Sequence, residues 1–251
     1  MSKPTIGIIG GGQLGSMLSL AAKNLNIKTV IVSDDKDAPA QFFADEFIFC
    51  RYDDDLKIEE FSNKVDFVTF EFENIPYATL SKIDKVKKVN PKPSINKIIQ
   101  NRLSEKDFLN KNNINTTSYI SIKNEIELKS SQDFVPGILK TCSFGYDGKG
   151  QYKINNEDEL DNLKVNFENH YIFEKLVKLK KEISVIVTRF GKQKYELYDP
   201  IENTHEDQIL KYSKIPAEVS NDLLNKSKEW AKFIAEELNY IGTMCVEYFI
   251  D

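Results

Sequence analysis

The sequence is short of the residues that announce a metal centre or a disulfide scaffold. Its 251 residues include three cysteines, Cys50, Cys142 and Cys245, and two histidines, His170 and His205. The cysteines are odd in number, far apart and without metal-type spacing. That argues against a disulfide framework and against a zinc enzyme, and it suits a reducing, cytoplasmic setting. No apolar run approaches the roughly 18–20 residues that cross a bilayer as a helix, so no membrane partner is expected. Met1-Ser2-Lys3-Pro4 passes straight into a strand-like run, so no signal peptide is expected either. A strong charge of one sign is also missing: 34 Lys and Arg against 39 Asp and Glu leave a net charge of −5. A mildly acidic chain has no general affinity for phosphate backbone, and no nucleic-acid partner is expected. What is present, 29% charged and 41% hydrophobic residues, is the make-up of a globular chain long enough to bury a core.

Glycine is scarce as well, which makes its placement informative. Of 11 glycines, five are Gly7, Gly10, Gly11, Gly12 and Gly15, three more are Gly145, Gly148 and Gly150, and none falls between residues 16 and 136. Glycine serves where backbone takes a positive φ or approaches a ligand closely, so two clusters point to two ligand-facing loops, with ordinary turns as the alternative.

The first cluster follows a strand-like run at residues 5–9 and precedes an apolar-periodic run at 17–25. Strand, glycine turn and helix open a doubly wound fold. A second strand at 29–32 ends in Ser33-Asp34-Asp35, and a strand at 65–70 runs into Glu71-Phe72-Glu73-Asn74-Ile75-Pro76. Ligands bind beyond the carboxyl ends of such strands, and two-residue alternation puts Glu71 and Glu73 on one side, facing hydroxyl or amine groups of a ligand. A solvated turn is the alternative. Gly10, Gly12 and Gly15 with Asp34 also spell the dinucleotide fingerprint, which leaves an NAD-dependent oxidoreductase open. The same turn serves any ligand seated on a helix N-terminus.

After the stiff connector Asn90-Pro91-Lys92-Pro93-Ser94, periodicity predicts one helix to about residue 110, with Arg102 and Lys106 one turn apart as a solvated pair. A strand at 135–140 ends in Lys140, the second glycine cluster follows, and another strand begins at Gln151. The loop therefore joins strand to strand, unlike a Walker A loop, which joins strand to helix. Such a hairpin can close over phosphates through its backbone N–H groups, with Lys140 and Lys149 adding point charges. Strands at 171–177 and 182–188, a helix at 219–238 and a strand at 243–250 complete an α+β pattern. Alternation sets Cys245, Glu247 and Phe249 on one face, where Glu247 among apolar neighbours calls for a cation.

Gly10-Gly-Gly-Gln-Leu-Gly15, Glu71-Phe-Glu-Asn-Ile-Pro76, Phe144-Gly-Tyr-Asp-Gly-Lys-Gly-Gln151 and Pro200-Ile-Glu-Asn-Thr-His205 occur in this order. Together they resemble the 5-(carboxyamino)imidazole ribonucleotide synthase family of the ATP-grasp superfamily, over essentially the whole chain. The resemblance implies a fold of α/β plus α+β class: a preATP-grasp open parallel sheet (1–93), a linker helix (94–117), an ATP-grasp lid (118–180) and a catalytic ATP-grasp part (181–251). It implies that ATP, bicarbonate and 5-aminoimidazole ribonucleotide are condensed, with Mg²⁺, to the carbamate, ADP and phosphate during purine synthesis in a cytoplasmic homodimer. Bicarbonate would be activated as carboxyphosphate.

Residue by residue, the resemblance implies ATP contacts from Arg102, Lys140, the loop Gly145-Tyr146-Asp147-Gly148-Lys149-Gly150-Gln151, the hinge Glu174-Lys175-Leu176-Val177, Glu182 at the ribose, and His205. Gln13, Leu14 and Glu71, with Tyr146, Asp147 and Lys149 from the loop, would meet the ribonucleotide. Lys140, Asp147 and His205 would take catalytic roles, the last two as candidate bases, and Glu247 would hold Mg²⁺. The residue before Arg102 is Asn101, where the family carries aspartate. The family also supplies a second metal-binding acid and phosphate-gripping basic residues beyond the point where Asp251 ends this sequence. The catalytic part is therefore expected to be incomplete, the strand of Glu247 to have an open edge, and ATP binding and turnover to be weak. A catalytically dead nucleotide-binding fragment remains an alternative.

Overall fold

A computed structural model describes residues 3–143, 150–206 and 209–251. The chain divides into two units, Met1–Lys97 and Ile98–Asp251.

The first unit contains β1 (Thr5–Ile9), α1 (Gln13–Asn24), β2 (Lys28–Ser33), β3 (Glu46–Phe49), α2 (Asp55–Asn63), β4 (Phe67–Phe70), α3 (Tyr77–Asp84) and α4 (Pro93–Ile99), which runs two residues past the unit's end. The strands form a wholly parallel sheet in the order β3-β2-β1-β4. Parallel strands are covered on both faces, so they read as continuous apolar runs. Ile8, Ile9, Ile31 and Val32 are all fully buried. α1 departs from its apolar pattern. It buries Gly15, Ser16, Ser19 and Ala22, and leaves Leu14, Met17 and Leu18 exposed. Gly7 serves packing rather than a ligand, because a Cβ there would lie 2.5 Å from Cζ of the buried Phe61.

The second unit opens with α5 (Arg102–Lys111). Where periodicity predicts one helix from 93 to about 110, the chain forms two. Asn101 has extended backbone, and its side chain accepts from the N–H groups of Leu103 and Ser104, capping a new helix. β5 (Tyr119–Ile122), α6 (Glu125–Lys129), β6 (Gly137–Thr141), β7 (Gln151–Ile154), α7 (Glu157–Asn162) and β8 (Tyr171–Lys175) follow. Their strands make an antiparallel sheet, β5-β8-β6-β7, around Ile122, Leu139, Ile154, Leu160 and Phe173.

The last part holds β9 (Lys181–Gly191), β10 (Lys194–Leu197), β11 (Ile201–Glu206), β12 (Ile209–Lys214), α8 (Asn221–Glu237) and β13 (Gly242–Ile250). β9 is the axis of this sheet. β13 runs antiparallel along its whole length on one side, while β10 and β11 share the other. Among the described residues β13 pairs with β9 alone. Alternation along β9 buries Ile183, Val185, Val187 and Arg189 on the α8 side. The opposite face carries Glu182, Ser184, Ile186 and Thr188, and with them Glu247 and Cys245 of β13 and Asn203 of β11.

Candidate functional site

The antiparallel β5–β8 sheet presents an ionic trio. Ile138 pairs with Glu174 across β6 and β8, so Lys140, two residues along β6, shares the face of Glu174. Lys140 Nζ donates to Glu174 Oε2 at 2.9 Å. Lys106 Nζ approaches Glu174 Oε1 at 3.6 Å from α5 and stands 5.6 Å over the Tyr119 ring. Tyr119 is the direct cross-strand partner of Glu174. Glu174 is 5% exposed, and a carboxylate buried that far needs cations beside it. Sequence spacing had made Lys106 a solvated residue. The structure corrects this: only 16% of its side chain is accessible, and burial lowers its pKa, opposed in part by the charge of Glu174.

α5 also fixes the base of the second glycine loop. Arg102 N–H donates to the Cys142 carbonyl and its Nη1 to the Thr141 carbonyl, both at 2.8 Å. β6 and β7 pair antiparallel, with Lys140 opposite Gln151, so the loop does join strand to strand. Gly150 closes that hairpin at φ +71°, its carbonyl accepting from Thr141 N–H. Gly145, Tyr146, Asp147, Gly148 and Lys149 lie outside the described residues. At the hinge, Glu174 and Lys175 end β8, and Leu176 and Val177 follow. Lys175 N–H donates to the Ser118 carbonyl and Leu176 N–H to that of Pro136. Any ligand edge read here must therefore meet the N–H of Val177 or the hinge carbonyls.

The second group lies on the open face of the β9 sheet. Asn203 pairs with Glu182, which carries His205, two residues on, to the same side. His205 Nδ1 lies 2.6 Å from Glu182 Oε2. A neutral ring donating from Nδ1 keeps its lone pair on Nε2, and Glu182 keeps Oε1 for a ligand. Asn203 Nδ2 donates to Ser184 Oγ, and Ser213 Oγ to Asn203 Oδ1. Glu247 faces Ser184 across β13 and β9, as alternation requires. It is not among buried apolar neighbours, however: Cys245, Glu247 and Phe249 are all exposed, because among the described residues no layer covers this face of β13. The reason given for a cation at Glu247 therefore fails, although its carboxylate is accessible.

Glu105, absent from the sequence reading, feels charges of both groups. It is exposed, with protein atoms crowded around its carboxyl. That desolvation pushes its carboxyl up, Lys106 and Arg102 pull it back, and the charges of Glu174 and Glu247 both reach it. Its sequence signal was position alone, in the first turn of a helix capped by Asn101. Among the described residues no cluster of three or more His, Cys, Asp or Glu could hold a metal by itself.

In the first unit the glycine turn is filled by the protein's own carboxylate. Glu71 Oε1 accepts from Gly12 N–H at 2.6 Å and Oε2 from Gly15 N–H at 2.5 Å. These donors stand at the N-terminus of α1, where a dinucleotide pyrophosphate would sit. A Cβ on Gly10, whose φ is +104°, would lie 2.4 Å from Glu71 Cγ. The glycines thus make room for Glu71, and the oxidoreductase reading loses its phosphate site. β4 ends at Phe70, so strand alternation does not reach Glu73, which is exposed. Gln13 and Leu14 begin α1 and are exposed.

Comparison with known proteins agrees with this architecture. The ribonucleotide synthetase preATP-grasp domain family matches residues 3–100, and the ATP-grasp domain family residues 107–251. N5-carboxyaminoimidazole ribonucleotide synthase of Staphylococcus aureus is 35% identical over 250 residues, 98% of this chain and 66% of that protein. The Staphylococcus epidermidis enzyme of the same name is 34% identical, with the same coverage. The chain spans 66% of the length of these relatives. Among solved structures, N5-carboxyaminoimidazole synthetase of S. aureus complexed with ADP superposes with a TM-score of 0.92 at 34% identity, over 100% of this chain and 68% of that one. The synthase of Aspergillus clavatus in complex with ADP and 5-aminoimidazole ribonucleotide gives 0.85 at 26% identity, over 98% of this chain and 66% of that one. With its parallel unit matched by the preATP-grasp family and nearly all of its second unit by the catalytic family, in that order, the chain belongs to the ATP-grasp family.

Proposed function

We propose that this chain carries the nucleotide-binding part of an ATP-dependent ligase that carboxylates 5-aminoimidazole ribonucleotide with bicarbonate in purine biosynthesis. The observation that carries the proposal is the ionic cluster of Lys140, Glu174 and Lys106 beside the base of a glycine hairpin, in a chain similar along its length to N5-carboxyaminoimidazole ribonucleotide synthases.

In the proposed reaction a bicarbonate oxygen attacks the γ-phosphorus of ATP, the bond to the β-phosphate oxygen breaks, and ADP and carboxyphosphate result. The exocyclic amine of the ribonucleotide then attacks the carboxyl carbon, phosphate leaves, and the amine gives up a proton. Phosphoryl transfer asks mainly for alignment and charge neutralisation. Lys140 offers a held ammonium for a phosphate oxygen, and Gly150 and Gln151 bring the hairpin to it. Glu182 Oε1, without a partner among the described residues, would accept from ribose hydroxyls while His205 holds Oε2. That geometry makes His205 an orienting residue, with Nε2 left over for a proton. Mg²⁺ would neutralise phosphate charge when bound. It takes one or two carboxylates plus phosphate oxygens, so the accessible carboxylate of Glu247 fits such a site. Gln13, Leu14 and Glu71 of the first unit are proposed to face the ribonucleotide. The same reading places the protein in the cytoplasm as a homodimer, checked by light scattering on a sizing column.

The test measures ADP release from the purified chain with ATP, Mg²⁺ and bicarbonate, with and without 5-aminoimidazole ribonucleotide, and with glycinamide ribonucleotide as control. Stimulation by the aminoimidazole alone is expected, together with ATP binding by titration. Tight NADH binding without ATP binding refutes the proposal.

A further inference from the structure

Two lysines on one buried carboxylate are more than charge balance needs. One would neutralise Glu174. Lys140, at 2.9 Å, already makes a full charge-assisted hydrogen bond to Oε2. Lys106 is brought to the other oxygen by a different element, at the longer distance of 3.6 Å, with the Tyr119 ring face 5.6 Å below its ammonium. Both lysine side chains are 16% accessible, so each amine has lost most of its water. Burying a second ammonium is costly, and one carboxylate and one ring offset it only in part. A purely structural arrangement would end with the Lys140–Glu174 pair.

We propose that Lys106 is a positioning residue for the phosphate-binding lysine: by engaging Oε1 of Glu174 it keeps that carboxylate from neutralising Lys140 and leaves the trio with one net positive charge for an anionic ligand. The proposal rests on the nucleotide reading above and goes beyond it by assigning a role to a residue on α5. The pull is mutual. With Lys106 present, Glu174 is shared and Lys140 can turn one N–H toward a phosphate oxygen. Without it, Glu174 belongs to Lys140 alone, and an arriving phosphate meets a neutral pair. Tyr119 and Glu174, cross-strand neighbours on one face, form the seat that holds Lys106 in place. Burial works against the Lys106 ammonium, and the charge and hydrogen bonding of Glu174 oppose it, so the carboxylate is what holds the charge there.

The experiment titrates the 251-residue chain and its K106M and K106R variants with ATP, ADP and adenosine, each with Mg²⁺. K106M is expected to bind ATP and ADP about tenfold more weakly, the scale of one partly screened unit charge, while adenosine affinity stays unchanged. K106R keeps the charge and should recover most of the ATP affinity. Thermal unfolding of each variant reports whether it is folded. If the wild-type chain binds ATP and K106M binds it equally well, the role of Lys106 is refuted and the nucleotide site stands. Equal losses for adenosine and ATP refute it too, because they mark a structural role. If the wild-type chain binds no ATP, the nucleotide reading fails and this inference with it.

Discussion

Replacing Glu71 by alanine should loosen the first turn of α1. Two backbone donors, Gly12 N–H at 2.6 Å and Gly15 N–H at 2.5 Å, end on this one carboxylate. Hydrogen bonds to an ionised group contribute about 1.5–3 kcal/mol each, and a negative charge at a helix N-terminus adds up to roughly 1 kcal/mol. Water entering the space left behind recovers part of this, so a net loss of about 2–4 kcal/mol is expected. Hydrogen exchange measured by mass spectrometry on the peptide covering residues 10–25 reads this locally, and the loss corresponds to exchange roughly 30- to 700-fold faster. Acetate or formate should slow the exchange again in the variant and not in the wild type, because a small carboxylate can take the vacated seat. Glu71→Gln should behave much like alanine, since one of its two head atoms is a donor facing a donor. Gly10→Ala strikes the same contact from the other side, with its Cβ driven to 2.4 Å from Glu71 Cγ. Combined with Glu71→Ala it should cost less than the sum of the two, by about 1–2 kcal/mol. Exchange in Glu71→Ala within twofold of wild type, with no response to acetate, would refute the view that the glycine turn is built around this carboxylate.

Glu182→Gln should weaken ATP binding while leaving 2′,3′-dideoxy-ATP affinity unchanged, a comparison made by calorimetric titration; equal losses for both would remove Glu182 from the ribose. Arg189, 4% exposed, donates to the Tyr240 carbonyl at 2.8 Å and to Glu236 at 3.0 Å. Arg189→Met should therefore lower stability by about 3 kcal/mol in urea unfolding followed at Trp230, the low end for breaking a buried pair because Glu236 is partly solvated. Glu105 has its carboxyl pushed up by desolvation, so its folded-state pKa lies above the unfolded one. The charged form is then the unfavourable one: Glu105→Gln should gain up to about 1 kcal/mol at neutral pH, screened by solvent. The gain should vanish as the pH falls through the raised pKa to the ordinary glutamate range, as measured by thermal unfolding over that interval.

Much of the scaffold was legible because its signals are local. Continuous apolar runs gave the parallel strands, turn residues gave the hairpins, and strand alternation correctly put Cys245, Glu247 and Phe249 on one face. The ordered motifs carried the family, which the comparisons bear out. Local signals failed where tertiary partners decide. A run of helical periodicity could not show that Asn101 would stop one helix and cap the next, although an asparagine followed by an acidic first turn is a readable sign of it. Alternation could not show that β4 ends one residue before Glu71 and frees it to fold back. Nor could spacing reveal that Lys106 is drawn over Tyr119 to Glu174, or that Glu247 lies exposed. Periodicity states which side of an element a residue takes. What stands on that side, and therefore whether a charge is solvated, paired or shared, is decided by elements far away in sequence, and only their packing brings it about.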